Sequence, residues 1–302
     1  MSSQYCRFVE RGTARRRAPL LEQLLARADD WAPVADWRAD AFRVIAPQAA
    51  CMPAVAAAAL CADRGVVDAA WVCVATPVHY VAEMTSVRLP ADGMLSLTPA
   101  GAETLASDFN RVWQGSGIRM TAARSAQLFC IFDRAFEVLT RDPEDVLDRH
   151  IEEFLPIGED SARLRQLISE TEMWLFEHEA NRVRTELGLP AINGLWFWGG
   201  GAPIASLPTV QGWAAGDDLF FSAFSVPRNE EFQCGVVVAG CVPGSDQWHE
   251  VESRWLHPAM IKLRARKIQR LQVSAADRCF TLTVRGLRRF WRRRKPWWES
   301  FE

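Results

Sequence analysis

Hydrophobic positions change period several times along this chain, and each change predicts an element. Leu20–Ala28 repeats apolar residues at helical spacing, and residues 40–64 carry a second helical stretch. From Val66 to Ala75 the chain turns apolar, ending in Trp71-Val-Cys-Val-Ala75, the pattern of a buried strand and its entry turn. Thr76-Pro-Val-His79 breaks that run. Tyr80–Leu89 then alternates roughly and suits a second strand, closed by the turn signal Pro90-Ala-Asp-Gly93.

Thr98-Pro-Ala-Gly-Ala-Glu103 reads as a helix start, with Thr98 as N-cap and Pro99 at the first helical position. This helix is expected to reach about Trp113, stopped by Gly115 and Gly117. Strands are predicted at Ile118–Ala122 and Gln127–Phe132, then acidic connecting structure over 133–161 with a helix start at Asp142-Pro-Glu-Asp145. Beyond it come a helix over 162–187, a strand over 232–239 and a helix near 247–266. A hairpin-like pair, Ile268–Val273 and Cys279–Val284, leads to a short arginine-rich C-terminal helix. Strands interleaved with helices imply an α/β protein, a mixed sheet flanked by helices. The expected division is a flexible basic segment 1–18, an N-terminal portion 19–145 and a C-terminal portion 146–302.

The 162–187 helix carries an unusual face. Leu164, Leu167, Ile168 and Leu175 share one side at helical spacing. Projected forward, that side meets His178 and Arg182, with Asn181 nearby. A face that starts apolar and ends polar is costly unless its polar groups are paired or meet a ligand. Gly188 ends the helix and Pro190 follows. Next comes Asn193-Gly-Leu-Trp-Phe-Trp-Gly-Gly-Gly-Ala-Pro203, an alternating aromatic strand running into three glycines. Glycines let backbone approach a ligand closely and let N–H groups converge on an anion. Two readings stand side by side. The polar groups line a pocket, or they cap neighbouring backbone and pair internally.

Composition narrows the classes. Hydrophobic residues make up 49% and charged residues 24% of 302 residues, enough for a large core without staples. Thirteen tryptophans favour packing seams and pocket walls. Eight dispersed cysteines with no Cys-x-x-Cys read as free thiols of a reducing compartment. The alanine-rich run near 54–62 is interrupted by Asp63 and Arg64, short of the roughly 18 apolar residues a spanning helix needs. With no apolar signal-like segment behind the N-terminus, the expected location is the cytoplasm, away from the membrane. Net charge is −2, yet about fourteen Lys and Arg residues between Arg254 and Lys295 face one acid, Asp277. Such a segment suits nucleic acid or an acidic partner, or else pairs with the acidic 142–180 region inside the fold.

The residues also carry a resemblance. Glu170-Thr-Glu-Met173, His178-x-x-Asn181-x-x-Arg184, Leu189-Pro190 and Asn193-x-x-Trp196-x-Trp198-Gly-Gly-Gly resemble the signature of the bacterial RpfE-type regulatory proteins, often labelled phosphoglycerate-mutase-like. Ala75-Thr-Pro-Val-His79 and Arg289-Phe-Trp-Arg292 look like two further landmarks of that family. The Trp-x-Trp-Gly-x-Gly and Ser206-Leu-Pro-Thr209 pieces look like part of archaeal-type cofactor-independent phosphoglycerate mutases. Those are metal enzymes of the alkaline phosphatase superfamily, so the resemblance implies a remnant of that fold. They use a Ser or Thr nucleophile beside two divalent metals held by Asp and His. This chain departs from that pattern. His79, His150, His178, His249 and His257 are isolated, and Asp246-x-x-His249 and Asp148-x-His150 do not make a two-metal site. There is also no Gly-x-Ser-x-Gly elbow, no phosphate loop ending in Lys-Ser/Thr, and no Gly-x-Gly-x-x-Gly.

The expectation is therefore a regulatory or accessory protein that binds a small anionic, phosphorylated metabolite without catalysis and without a cofactor. Arg184 and the amides of Gly199, Gly200 and Gly201 would hold the anion. Trp196 and Trp198 would form the wall, His178 and Asn181 would orient the ligand, and His79 and Asn193 would complete the site. The alternatives are a metal-dependent phosphotransfer enzyme and a nucleic-acid-binding regulator acting through the basic C-terminus.

Overall fold

The computed structural model describes residues 2–10, 17–224, 234–241, 247–275 and 277–300. They form two units, one of residues 1–52 with 208–302 and one of residues 53–207. The second is thus inserted into the first, between Met52 and Pro208. The boundary expected at 140–160 falls inside the inserted unit, because a sequence pattern shows where the chain bends but not where it returns.

In chain order the first unit opens with β1 (Ser3–Glu10), α1 (Pro19–Arg27), β2 (Asp30–Pro33) and α2 (Trp37–Ile45). The inserted unit begins with α3 (Val55–Arg64), β3 (Trp71–Val78), β4 (Val81–Ala82), β5 (Val87–Leu89) and α4 (Pro99–Val112). It continues through β6 (Ile118–Ala122), β7 (Leu128–Phe132), β8 (Arg149–His150), α5 (Ser161–Phe176), α6 (Glu179–Glu186) and β9 (Gly194–Gly201). The chain then returns with β10 (Trp213–Gly216), α7 (Leu219–Ser222), β11 (Gly235–Cys241) and α8 (Gln247–Val251). One π turn leads into α9 (His257–Arg264), followed by the antiparallel pair β12 (Arg270–Ala275) and β13 (Arg278–Thr283).

The first unit holds a six-stranded sheet in the order β10-β11-β1-β12-β13-β2. Its first three pairings are parallel and its last two antiparallel, so it is the expected mixed sheet. One face buries Cys6, Val237, Leu271, Val273 and Leu282 against Leu21, Leu24 and Leu25 of α1 and Met260 and Leu263 of α9. Against the other face α2 contacts β1 and β11, and Phe42 meets Phe220 and Phe224 edge-on or tilted.

Within the segment 1–18 expected to be flexible, Ser3–Glu10 is an interior strand. Its polar letters mislead because Arg7, although buried, donates to Ser274 Oγ at 3.1 Å and stacks on the Trp37 ring. Residues 11–16, and Phe232 and Gln233 of the predicted 232–239 strand, lie outside the described residues.

The inserted unit has an antiparallel sheet in the order β6-β7-β3-β9 and a small one, β4-β5-β8. Leu105 and Phe109 of α4 and Leu164, Leu167 and Leu175 of α5 pack on one face beside Leu195 and Phe197. On the other face α3 meets β3 and β9. Covered on both sides, β3 is buried at all eight positions, which explains its unbroken apolar run. The helical stretch read over 40–64 is two helices, since Pro47 and Pro53 lie between α2 and α3.

Candidate functional site

The predicted 162–187 helix is broken after Phe176, and α6 starts afresh with His178 as its N-cap. The ring accepts at Nδ1 from Ala180 N at 3.1 Å, and Nε2 faces Asp108 Oδ2 of α4 at 3.4 Å. An imidazole accepting at one nitrogen and donating at the other is neutral. Burial lowers its pKa, against the opposing pull of Asp108. The break rotates the second helix, so Arg182 leaves the Leu164–Leu175 side and pairs on the surface with Glu179 and Glu186.

Four other predicted residues do gather, around one segment of the chain's own backbone. Asn181 Oδ1 accepts from Ile192 N at 2.7 Å while its Nδ2 donates to Ile192 O at 2.8 Å and Leu175 O at 2.7 Å. Arg184 Nε donates to Pro190 O at 2.6 Å, and burial lowers the Arg184 pKa. His79 Nδ1 lies 2.8 Å from Ala191 O. Asn193 answers both backbone groups of Tyr80, accepting from its N at 2.7 Å and donating to its O at 2.8 Å. These side chains clamp residues 190–193 to the end of the β3–β9 pair.

The aromatic strand is committed in the same way. Trp196 Nε1 donates to Arg141 O and Trp198 Nε1 to Thr76 Oγ1, both at 2.8 Å. The three glycines make room for protein. A Cβ on Gly199 would lie 2.9 Å from Val55 Cβ, one on Gly201 would lie 2.5 Å from Ala54 Cβ, and one on Gly200 would enter the Trp71 ring. The space expected to cradle an anion is thus filled by α3 and Trp71. Internal capping and pairing, the second sequence reading, matches this geometry.

An open cavity exists elsewhere, on the polar face of the first unit's sheet. Strand alternation puts Leu271 and Val273 in the core and turns Arg270, Gln272 and Ser274 to the opposite face. In register beside them stand Ser3, Tyr5 and Arg7 of β1 and Thr281 and Cys279 of β13. Ser2, Arg43, Arg270, Gln272 and Thr281 help line a cavity of about 700 Å³ here, roofed by Asp40, Arg43 and Val44 of α2. Among the described residues the lining holds one carboxylate, Asp40, and it pairs with Arg43. Arg270 therefore brings a positive charge that no other acid among the described lining residues answers. Burial, first of all, pushes the Cys279 thiol up to about 11, so this lining sulfur is a protonated, weakly nucleophilic group at neutral pH. Burial likewise raises the pKa of Tyr5.

The sequence reading missed these residues. Arg270, Gln272, Cys279 and Thr281 do show the period of two, yet nothing in the sequence brings residues 2–3 beside them. A second cavity of about 350 Å³ lies at the carboxyl ends of β10 and β11, lined by Asp217, Glu250, Arg254 and Trp255 among others. Gly216 there has φ +113°, and a Cβ would collide with Val238 O. Among the described residues no group of three or more His, Cys, Asp or Glu stands close enough to hold a metal ion. Asp246 of the Asp246-x-x-His249 pair lies outside them. No helix among them is long and apolar enough to cross a membrane.

The basic C-terminal segment finds partners close by. Arg289 pairs with Asp29 at 3.2 Å, Arg289 and Arg292 both donate to Ala28 O, and Arg254 faces Glu250 at 3.5 Å. These partners belong to the first unit, and not to the 142–180 region that the sequence suggested.

No family model matches the chain. A 66-residue stretch, 22% of the chain, is 36% identical to 2,3-bisphosphoglycerate-independent phosphoglycerate mutase of Methanothrix thermoacetophila. That stretch spans 17% of the mutase's length. Among solved structures, the cofactor-independent phosphoglycerate mutase from Thermoplasma acidophilum DSM 1728 aligns over 93% of this chain and 89% of its own, at 12% identity and a TM-score of 0.40. A protein from Pyrococcus horikoshii aligns over 92% and 87%, at 10% identity and a TM-score of 0.39. Likeness at this level says nothing of activity.

Proposed function

We propose that this is a regulatory or accessory protein of the cytoplasm that binds a small phosphorylated metabolite in the cavity bounded by Arg43, Arg270, Gln272 and Thr281. The observation that carries the reading is Arg270, a cation on the wall of a cavity where Asp40, the one acid among the described lining residues, is already paired with Arg43. A guanidinium with hydroxyl and amide neighbours suits a phosphate or carboxylate, which it meets with two parallel hydrogen bonds. The cavity's volume falls in the range of small-molecule sites. The RpfE-type resemblance supports a regulatory role, and the free thiols of Cys6, Cys51, Cys61, Cys73, Cys130 and Cys279 support a reducing compartment. Calorimetry with the phosphoglycerates, on the intact chain and on Arg270→Gln, tests the proposal.

A phosphotransfer enzyme is the second reading. The 66-residue mutase match favours it, as does the cavity bearing Asp217 and Glu250 at the carboxyl ends of parallel strands, where open α/β sheets bind ligands. Such an enzyme would turn over phosphoglycerate on addition of manganese or zinc. Absence of turnover with either metal removes this reading.

A further inference from the structure

Residues 285–295 read Arg-Gly-Leu-Arg-Arg-Phe-Trp-Arg-Arg-Arg-Lys, and their structure separates them from the rest of the basic region. Phe290 and Trp291 are 78% and 68% exposed, an arrangement that large aromatic side chains adopt at a cost in unburied apolar surface. Arg288, Arg292, Arg293, Arg294 and Lys295 around them are exposed as well. The two rings touch, with centroids 5.3 Å apart and planes at 81°. They therefore form one projecting aromatic knob with cations on both sides in sequence.

The segment is anchored. Arg289 and Arg292 donate to Ala28 O, Arg289 also meets Asp29, and Trp297 beyond it is buried in the first unit's core. Cations from elsewhere in the unit extend the field. Burial, and after it the like charges of Arg294 and Arg264, lower the Arg27 pKa. Like charges held this close favour an anion that bridges them.

We infer that this knob and its cations form a binding surface for single-stranded nucleic acid. The partner must be a polyanion that also offers flat apolar faces. A single strand does, with phosphates for the guanidiniums and unstacked bases for Phe290 and Trp291. An anionic membrane is served poorly by the same residues. Interfacial binding calls for a helix with its apolar and basic faces opposed. Here Gly286–Arg288 is one short 3-10 turn, the following residues are irregular, and the aromatics sit between arginines. This surface is independent of the small-anion cavity and stands whether or not that cavity binds a metabolite.

The test is fluorescence anisotropy of the full chain with labelled oligothymidylate and oligouridylate across a salt series. Binding is expected, with log affinity falling against log salt by about 0.7 for each phosphate contacted. Replacing both exposed rings, Phe290→Ala with Trp291→Ala, is expected to weaken binding about tenfold or more while the salt slope stays put. Arg293→Gln with Arg294→Gln is expected to flatten the slope instead. The inference is overturned by no binding at low salt, or by equal binding of the ring-less variant, which would leave bare charge attraction. It is also overturned if phosphatidylserine vesicles capture the chain through Phe290 and Trp291 while the oligonucleotides do not. Circular dichroism of each variant shows that the fold is kept.

Discussion

Asn181 grips both backbone polar groups of Ile192, accepting from its N–H at 2.7 Å and donating to its carbonyl at 2.8 Å. Ile192 is fully buried, so these backbone groups have no water to fall back on. A strand-mimicking amide of this kind fixes the approach to β9 and, through Asn193, its alignment with Tyr80. Orphaning buried backbone groups costs about 1–3 kcal/mol each. Asn181→Ala is therefore expected to lower unfolding free energy by about 2–4 kcal/mol, read as a drop in urea midpoint. An unchanged midpoint would mean that Asn181 is free for a ligand after all.

His178 makes stability depend on pH with a definite sign. Its folded pKa is lowered, so the unfolded chain binds more protons in mildly acid solution. The stability it contributes is complete above the unfolded histidine pKa, about 6.5, and is lost as pH falls through the folded value. Protonation of Nδ1 would also cost the cap to Ala180 N. His178→Asn keeps a capping side chain without that titration. Denaturation at several pH values should show a shallower acid loss in His178→Asn than in the unaltered chain. A histidine NMR titration placing the folded pKa above about 6.5 would contradict this account.

Gly200 faces Trp71, and Trp71 is itself packed in a cluster with Phe132 and Phe136, at 5.2 and 5.3 Å. The indole has little room to retreat. Gly200→Ala is expected to destabilise by about 1–3 kcal/mol through overpacking, with a changed near-ultraviolet tryptophan signal. Were the glycine instead open to a ligand cradle, the same change would leave thermal stability intact and weaken binding.

What the sequence made legible was local. The N-cap at Thr98, which accepts from Gly101 N at 3.1 Å, the strand Ile118–Ala122, the hairpin of β12 and β13, and the helix stop at Gly188 (φ +68°) all have signals within a few residues. The unbroken apolar run was enough to see β3, although not to see that β9 pairs with it through Val74–Trp198 and Val78–Gly194. Residues whose partners are distant in sequence were misread. Arg7 looked like part of a basic tail because Ser274 and Trp37 are invisible in its neighbourhood. Polar side chains of α6 looked ligand-facing for a similar reason: a side chain that wants a partner shows its need in the sequence, but not that the chain's own carbonyls at 190–192 meet it. The period of Arg270 and Gln272 was visible, while the cavity above them needed the topology of a sheet whose strands come from both ends of the chain.

In the proposed function the anion site lies over Arg270 and not between Arg184 and the glycines. The most direct measurement is calorimetric titration of 3-phosphoglycerate into the intact chain, Arg270→Gln and Arg184→Gln. Binding to the intact chain is expected, with a loss of about tenfold or more in Arg270→Gln, as for one charge-assisted contact of about 1.5–3 kcal/mol, and retained affinity in folded Arg184→Gln. No binding to the intact chain, or affinity lost in Arg184→Gln and kept in Arg270→Gln, would contradict the proposed function.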